Sequence, residues 1–308
     1  MVIPVVWHPD YSIPQPPGHA FPMGKFAAVG RWLAARGMAT VCPLHADMST
    51  LSAVHDPDYL RHLATGTLDA RAQRRIGFDC TPALFQRCRL ETGGTLATVA
   101  LALQHGLACN AAGGTHHAHH DFGSGYCLLN DLVVAARHAL DHLGRHKVLI
   151  IDLDVHQGDG TAALLADEPR AFTFSMHCGD NFPARKQRSD LDIALPRGLD
   201  DSGYLHELNS VLPWLLDSVM PDLVLYDAGV DVHADDRLGH LSLSDAGLLA
   251  RDLAVIGACR ARHIPTACVI GGGYDRDLDR LASRHAWLFE AACQVFNATD
   301  SAPSRSSA

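Results

Sequence analysis

Two kinds of periodicity alternate along this chain. Short apolar runs rich in β-branched residues occupy 2–7, 39–44, 107–112, 147–154, 171–176, 222–229 and 266–272. Between them, apolar side chains recur every three or four positions over 85–106, 129–144, 205–219 and 245–263. The first pattern predicts strands and the second predicts amphipathic helices. Near-continuous apolar strands separated by helices indicate a predominantly parallel sheet with helices on both faces. The expected fold class is α/β in a single domain over 1–298. The end, 299–308, has the small polar composition of a disordered tail. No internal repeat or interior linker interrupts the pattern.

This layout directs attention to the strand ends, because ligand sites in open α/β sheets form just beyond the carboxyl ends of the strands. "KVLIIDLDVHQGDG" runs apolar and then places Asp152, Asp154 and His156 at alternate positions. If the strand continues, all three share one face, with roughly 6.5–7 Å between successive members. A carboxylate beside an imidazole suits zinc or ferrous iron. One aspartate could merely cap a following helix, but three ionisable groups on one apolar strand face would be costly to bury without a cation. The strand at 222–229 leads to Asp227, Asp231, His233, Asp235 and Asp236. One of these carboxylates would complete three protein ligands and leave a position for water; spacing leaves the choice open. A third strand end, "TACVIGGGYDR", presents Tyr274 after three glycines. Its phenol can polarise a carbonyl. No GxxxxGK[ST] phosphate loop occurs. "GGTHHAHHDFGSGY", Gly113 to Tyr126, carries four histidines in two adjacent pairs.

Composition narrows the classes. Of 308 residues, 47% are hydrophobic, enough for a large core. No apolar run reaches the ~18 residues of a membrane helix. The first ten residues lack a secretory pattern, so a cytoplasmic protein is expected. The nine cysteines are scattered and form no CxxC, which fits reduced core thiols better than a thiolate zinc site. Net charge is −9, and "RAQRR" at 71–75 is the one basic cluster, so nucleic acid is a disfavoured partner. The pattern sets no oligomeric state.

Taken together, "GGTHHAHHDFGSGYCLLND", "IDLDVHQGDGT", "YDAGVDVHADDRLGHLSLS" and "GGGY" resemble, in order, the zinc-dependent histone deacetylase family, which includes acetoin-utilisation proteins and acetylpolyamine amidohydrolases. "VHDPDYL" at 54–60 is similar to the family's N-terminal region, and the wording is nearest to the class IV branch and its bacterial relatives. The resemblance covers nearly the whole chain and implies the arginase/deacetylase fold. It implies Asp154, His156 and Asp231 as metal ligands, for Zn2+ with Fe2+ as the alternative. It implies His116 and His117 as tandem catalytic histidines, paired with Asp152 and Asp159. Tyr274 would activate the acyl carbonyl. Gly125, Tyr126, Phe182 and Gly272 would form the substrate channel, with Tyr126 replacing the usual phenylalanine. Asp152, Asp154, His156, Ser175 and Met176 match a potassium (K+) site of some members. The segments 8–25 and 177–190 would border the mouth, and His119 and His120 would be loop or rim residues. The implied substrate is an acylated lysine or acylated small amine, cleaved to a carboxylate such as acetate and a free amine. An acetylpolyamine amidohydrolase is the alternative. A binuclear-manganese ureohydrolase and a non-catalytic acyl-amine binder are the rivals from other classes.

Overall fold

The computed structural model describes residues 3–298. Its elements, in chain order, are β1 (Val5–Val6), α1 (Lys25–Ala35), β2 (Thr40–Val41), α2 (Met48–Ser52), α3 (Pro57–Thr65), α4 (Ala70–Ile76), α5 (Pro82–His105), β3 (Leu107–Asn110), α6 (Asp131–His142), β4 (Val148–Asp152), α7 (Asp159–Leu165), β5 (Ala171–Cys178), β6 (Leu191–Leu195), α8 (Asp201–Val219), β7 (Leu223–Asp227), α9 (Asp245–Ala261), β8 (Thr266–Val269) and α10 (Leu278–Ala298). The strands form one sheet in the order β2-β1-β3-β8-β7-β4-β5-β6, and every pairing is parallel. Helices α1, α8, α9 and α10 pack as one group and α2, α3, α5, α6 and α7 as another. The sheet is thereby covered on both faces, and β3, β4, β7 and β8 are buried along their whole length. That double burial is why these strands read as unbroken apolar runs.

Register prepares the site. Asn110 pairs with Val269, Val269 with Asp227, and Asp227 with Asp152. Four central strands therefore end at one level, and their following loops emerge side by side. All seven expected strands are present, most of them shorter at one or both ends. Residue 2 of the first, and the expected tail at 299–308, lie outside the described residues. The eighth strand, β6, escaped the pattern because it is a sheet edge with alternating exposure. Helices α1, α2, α3, α4, α7 and α10 also went unread. No helix among the described residues is long and apolar enough to cross a membrane, and all nine cysteines are unbonded.

Side chains cap the helices at their exposed amide ends: Asp56 for α3, Thr81 for α5, Asn130 for α6 and Ser244 for α9. Helix α5 contains Gly93 and Gly94, unusual for a helix interior. A Cβ at Gly93 would collide with the Leu44 carbonyl, and one at Gly94 with the Tyr11 hydroxyl. The pair exists for close approach. His55 ties the segment before α3 to the loop after β3. Its Nδ1 donates to the His119 carbonyl (2.9 Å), and its Nε2 accepts the Asn130 amide (3.0 Å).

Gly93→Ala should lower stability by ~1–3 kcal/mol through overpacking. Gly257→Ala, in α9 with open space around the new methyl, should be neutral or raise stability by up to ~1 kcal/mol. Denaturant titration of both variants checks the opposite signs. A pH dependence follows from His55, which burial pulls from 6.5 down to about 4. The folded chain resists this proton more than the unfolded chain does. The contribution is thus intact above about 6.5 and lost as pH falls to about 4. It amounts to roughly 3 kcal/mol. His55→Asn should be less stable at pH 7.5 yet lose less stability between pH 6.5 and 4; parallel pH curves for the two proteins would refute this.

Candidate active site

The loop after β3 turns through Gly113 and Gly114, both with positive φ. The Asp131 carboxylate at the start of α6 then accepts the Thr115 amide and hydroxyl, each at 2.7 Å. Asn130 donates its amide to the carbonyls of His116 (3.3 Å) and Ala118 (3.2 Å). This loop is rigidly held, and it presents His116 and His117 together. Their Nε2 atoms lie 3.2 Å apart. Each Nδ1 meets a carboxylate: His116 with Asp152 at 2.8 Å and His117 with Asp159 at 2.6 Å.

The strand geometry does not persist beyond Asp152. Leu153 still donates to the Asp227 carbonyl, but Asp154 donates its amide to the Asp152 carboxylate and His156 to that of Asp154. These local turns replace the ladder, so Asp152, Asp154 and His156 do not share one strand face. Two clusters result. In each, candidate ligand atoms lie within 4.8 Å of one another: Asp154, His156 and Asp231, and separately His116, Asp152 and Asp227.

In the first cluster, His156 Nδ1 is 3.0 Å from Asp154 and 3.1 Å from Asp231. The Asp154 Oδ2 accepts the Gly272 amide at 2.9 Å, and Asp231 Oδ1 accepts the Val155 amide at 2.9 Å. Asp231 Oδ2 is buried and receives no well-aligned hydrogen bond. Burial alone would lower His156, but the two carboxylates reverse that and raise it to about 10. The pocket therefore demands positive charge. Two carboxylates and an imidazole, with one carboxylate oxygen left without a well-aligned hydrogen bond, fit a divalent cation.

The second cluster has a different character. Burial opposes charge on His116, yet Asp152, Asp154 and Asp227 outweigh it and hold the ring well above its ordinary range. Burial and then the charge of His116 pull His117 down to about 3. Asp227 is fully buried with neither carboxylate oxygen hydrogen-bonded. Burial and the neighbouring Asp152 push it well above the usual carboxylate range.

Around these groups stands a channel of about 430 Å³ lined by His117, Gly125, Tyr126, His156, Phe182, Leu238, His240 and Tyr274, with Arg74 and Arg75 at the rim. Phe182 stands edge-on to His117, with ring centres 4.8 Å apart. Gly272 lies deeper, in a small cavity shared with Lys25, Tyr126 and Tyr274. The Tyr274 amide donates to Asp236 (2.7 Å), and its carbonyl accepts the Arg237 amide (3.1 Å). Burial, then Asp231 and Asp154, keep its phenol well above 10 and hence protonated. Asp152 and Ser175 are register partners on β4 and β5, and Met176 follows on the latter. The Ser175 hydroxyl is 2.9 Å from His177 Nδ1.

His119 is not a mere rim residue. Its Nε2 lies 3.2 Å from the second oxygen of Asp159, so one carboxylate serves His117 and His119. His120 does stand aside, with Nδ1 on the Val54 carbonyl. Two further residues carried no motif signal. Arg251, fully buried on α9, donates to the carbonyls of Leu153, Ala228 and Gly229 and so clamps the loops that carry Asp154 and Asp231. Lys25 donates to the Gly271 carbonyl at 2.9 Å, beneath Tyr274. Their partners are backbone atoms distant in sequence, which no local pattern reveals.

The histone deacetylase domain family matches residues 19–290. An uncharacterized protein of Picosynechococcus sp. is 50% identical over 300 residues, 96% of this chain and 100% of its own. Histone deacetylase 2 of Arabidopsis thaliana is 30% identical over 276 residues, 85% of this chain and 71% of its own. Among solved structures, the HD domain of HDA15 superposes with a TM-score of 0.77 at 22% identity, covering 95% of this chain and 90% of that one. Acetylpolyamine aminohydrolase from Burkholderia pseudomallei superposes at 0.79 and 19% identity, covering 95% and 99%. At those identities the two structures speak for the fold. The match over most of the chain, together with the paired histidines facing a cluster suited to a cation, places this protein in the histone deacetylase family.

Proposed function

We propose that this metal-dependent amidohydrolase is a single-metal deacylase that cleaves an acylated lysine, or a related acylated amine, to a carboxylate and a free amine. The observation that carries the reading is the meeting of one cation-demanding cluster with two histidine–carboxylate pairs at the base of a single aromatic channel. Asp154, His156 and Asp231 would hold zinc, or ferrous iron, and the ion would supply Lewis acidity to the amide oxygen and to water.

The chain's own groups divide the remaining work. His117 is the base. Asp159 takes its Nδ1, which leaves Nε2 to receive the proton of the attacking water. The same proton then passes to the departing amine nitrogen as the amide bond breaks. His116, whose Nδ1 is held by Asp152, stands beside His117 as the second imidazole of the pair. Tyr274, protonated and lining the channel, donates to that oxyanion from the opposite side. Gly125, Tyr126 and Phe182 exclude water and align the alkyl stem of the amine, while Gly272 floors the site. Potassium at Asp152, Asp154, His156, Ser175 and Met176, held partly through backbone oxygens, would be structural.

Tyr274→Phe should retain its metal and change KM little while kcat falls ~10²–10³-fold; turnover near the native rate would refute the role. Elemental analysis should find one equivalent of catalytic metal in the native protein and none in Asp231→Ala. Two equivalents with urea release would instead favour the binuclear ureohydrolase. Full occupancy in Asp231→Ala would move the ligand role to another aspartate.

A further inference from the structure

Charge is distributed unevenly over this molecule. The whole chain is net negative, −9, but the mouth of the channel is not. Arg74 and Arg75 are exposed on α4 and line the mouth. Among the described residues neither makes an ion pair. Arg75 lies flat over Phe122, 4.6 Å from the ring centre, and Phe122 stacks on His119 at 4.3 Å. Across the mouth, Asp180 is the one carboxylate among the lining residues. Arg197 faces it at 4.0 Å, and the charge of Lys186 reaches it as well. Arg185 and Arg188 are exposed on the same segment as Phe182. A second groove of about 620 Å³ adjoins the channel. It shares Arg74 and Gly77 with the channel; Gln15, His19 and Gln73 supply polar groups to it and Asp79 a carboxylate. Arg74 therefore stands on the ridge between the place for an acylated amine and the place for whatever chain carries it.

We infer that the substrate is an acyl-lysine flanked by acidic residues, with Arg74 and Arg75 as specificity-determining residues. The inference rests on the deacylase reading above and names the substrate class for that site. Unpaired guanidinium groups at a cleft attract and orient carboxylates, and they repel cationic partners. Polyamines and lysine-rich tails are thus disfavoured at this mouth. The adjoining groove supplies a surface for flanking residues, which a small free amide would leave unused.

The test uses the metal-loaded enzyme and acetyl-lysine peptides of equal length with flanks of aspartate, of neutral residues or of arginine, plus N-acetylputrescine. The aspartate-flanked peptide should exceed the arginine-flanked one by roughly three- to ten-fold in kcat/KM. The difference should sit mainly in KM and shrink as salt is added. Arg74→Gln with Arg75→Gln should flatten the ranking, and Arg74→Glu with Arg75→Glu should reverse it, in variants whose melting curves stay native. Equal or better cleavage of the arginine-flanked peptide or of N-acetylputrescine by the native enzyme overturns the inference, as does a ranking that both variants leave unaltered. Turnover of the neutral peptide without any charge ranking overturns this inference alone. No turnover of any acyl-lysine peptide overturns the deacylase reading, and this inference with it.

Discussion

Four aspartates, Asp152, Asp154, Asp227 and Asp231, and three histidines, His116, His117 and His156, are buried together where the central strands end. Taking that many carboxylates out of water is affordable only if positive charge accompanies them. The neighbouring carboxylates raise His116 and His156 toward their charged forms, and burial raises Asp227 toward its neutral one. Asp231 Oδ2 meets His156 Nδ1 at 3.1 Å but accepts no well-aligned hydrogen bond. In the function proposed above, a divalent cation between Asp154, His156 and Asp231 would take the place of the proton that His156 otherwise attracts and complete the balance. The electrostatic problem that burial creates is thus the same feature that gives the site its chemistry.

Much of the surrounding structure keeps this charged group from relaxing. Asp131 and Asn130 hold the histidine loop by its backbone. Arg251 draws three carbonyls at the ends of β4 and β7 to one guanidinium. Glycines stand where a side chain would strike the acids: a Cβ on Gly271 would hit Asp227, and one on Gly272 would hit Asp231. These contacts act mostly on backbone atoms, so side chains can be preorganised without filling the channel. Asp159 extends the network outward. It orients His117 and also holds His119, which stacks on Phe122 beneath Arg75. Contacts through that one carboxylate link the rim to the base of the channel.

Periodicity alone carried the α/β class and the parallel sheet, because strands buried on both faces have no polar side to hide them. The half-exposed edge strand β6 showed how that signal fades at a sheet margin. Motifs carried the candidate groups, since each lies within a few residues of a strand end. The expectation that Asp152, Asp154 and His156 share one strand face failed, because Asp and His side chains captured the backbone amides that would have continued the ladder.

The sequence by itself therefore determined which chemical groups stand at which strand ends, and the resemblance they form named the family. Only the tertiary structure divided them into two clusters, through the register that sets Asp152 beside Asp227 and the turn that swings Asp154 and His156 away. It alone gave His119 a share of Asp159, and it alone made braces of Arg251 and Lys25. It also brought α4 to the mouth, where a run of arginines became a charged rim. The reason is physical: pattern along a chain encodes which face of an element is buried, whereas contacts between residues far apart in sequence exist only after the elements have packed.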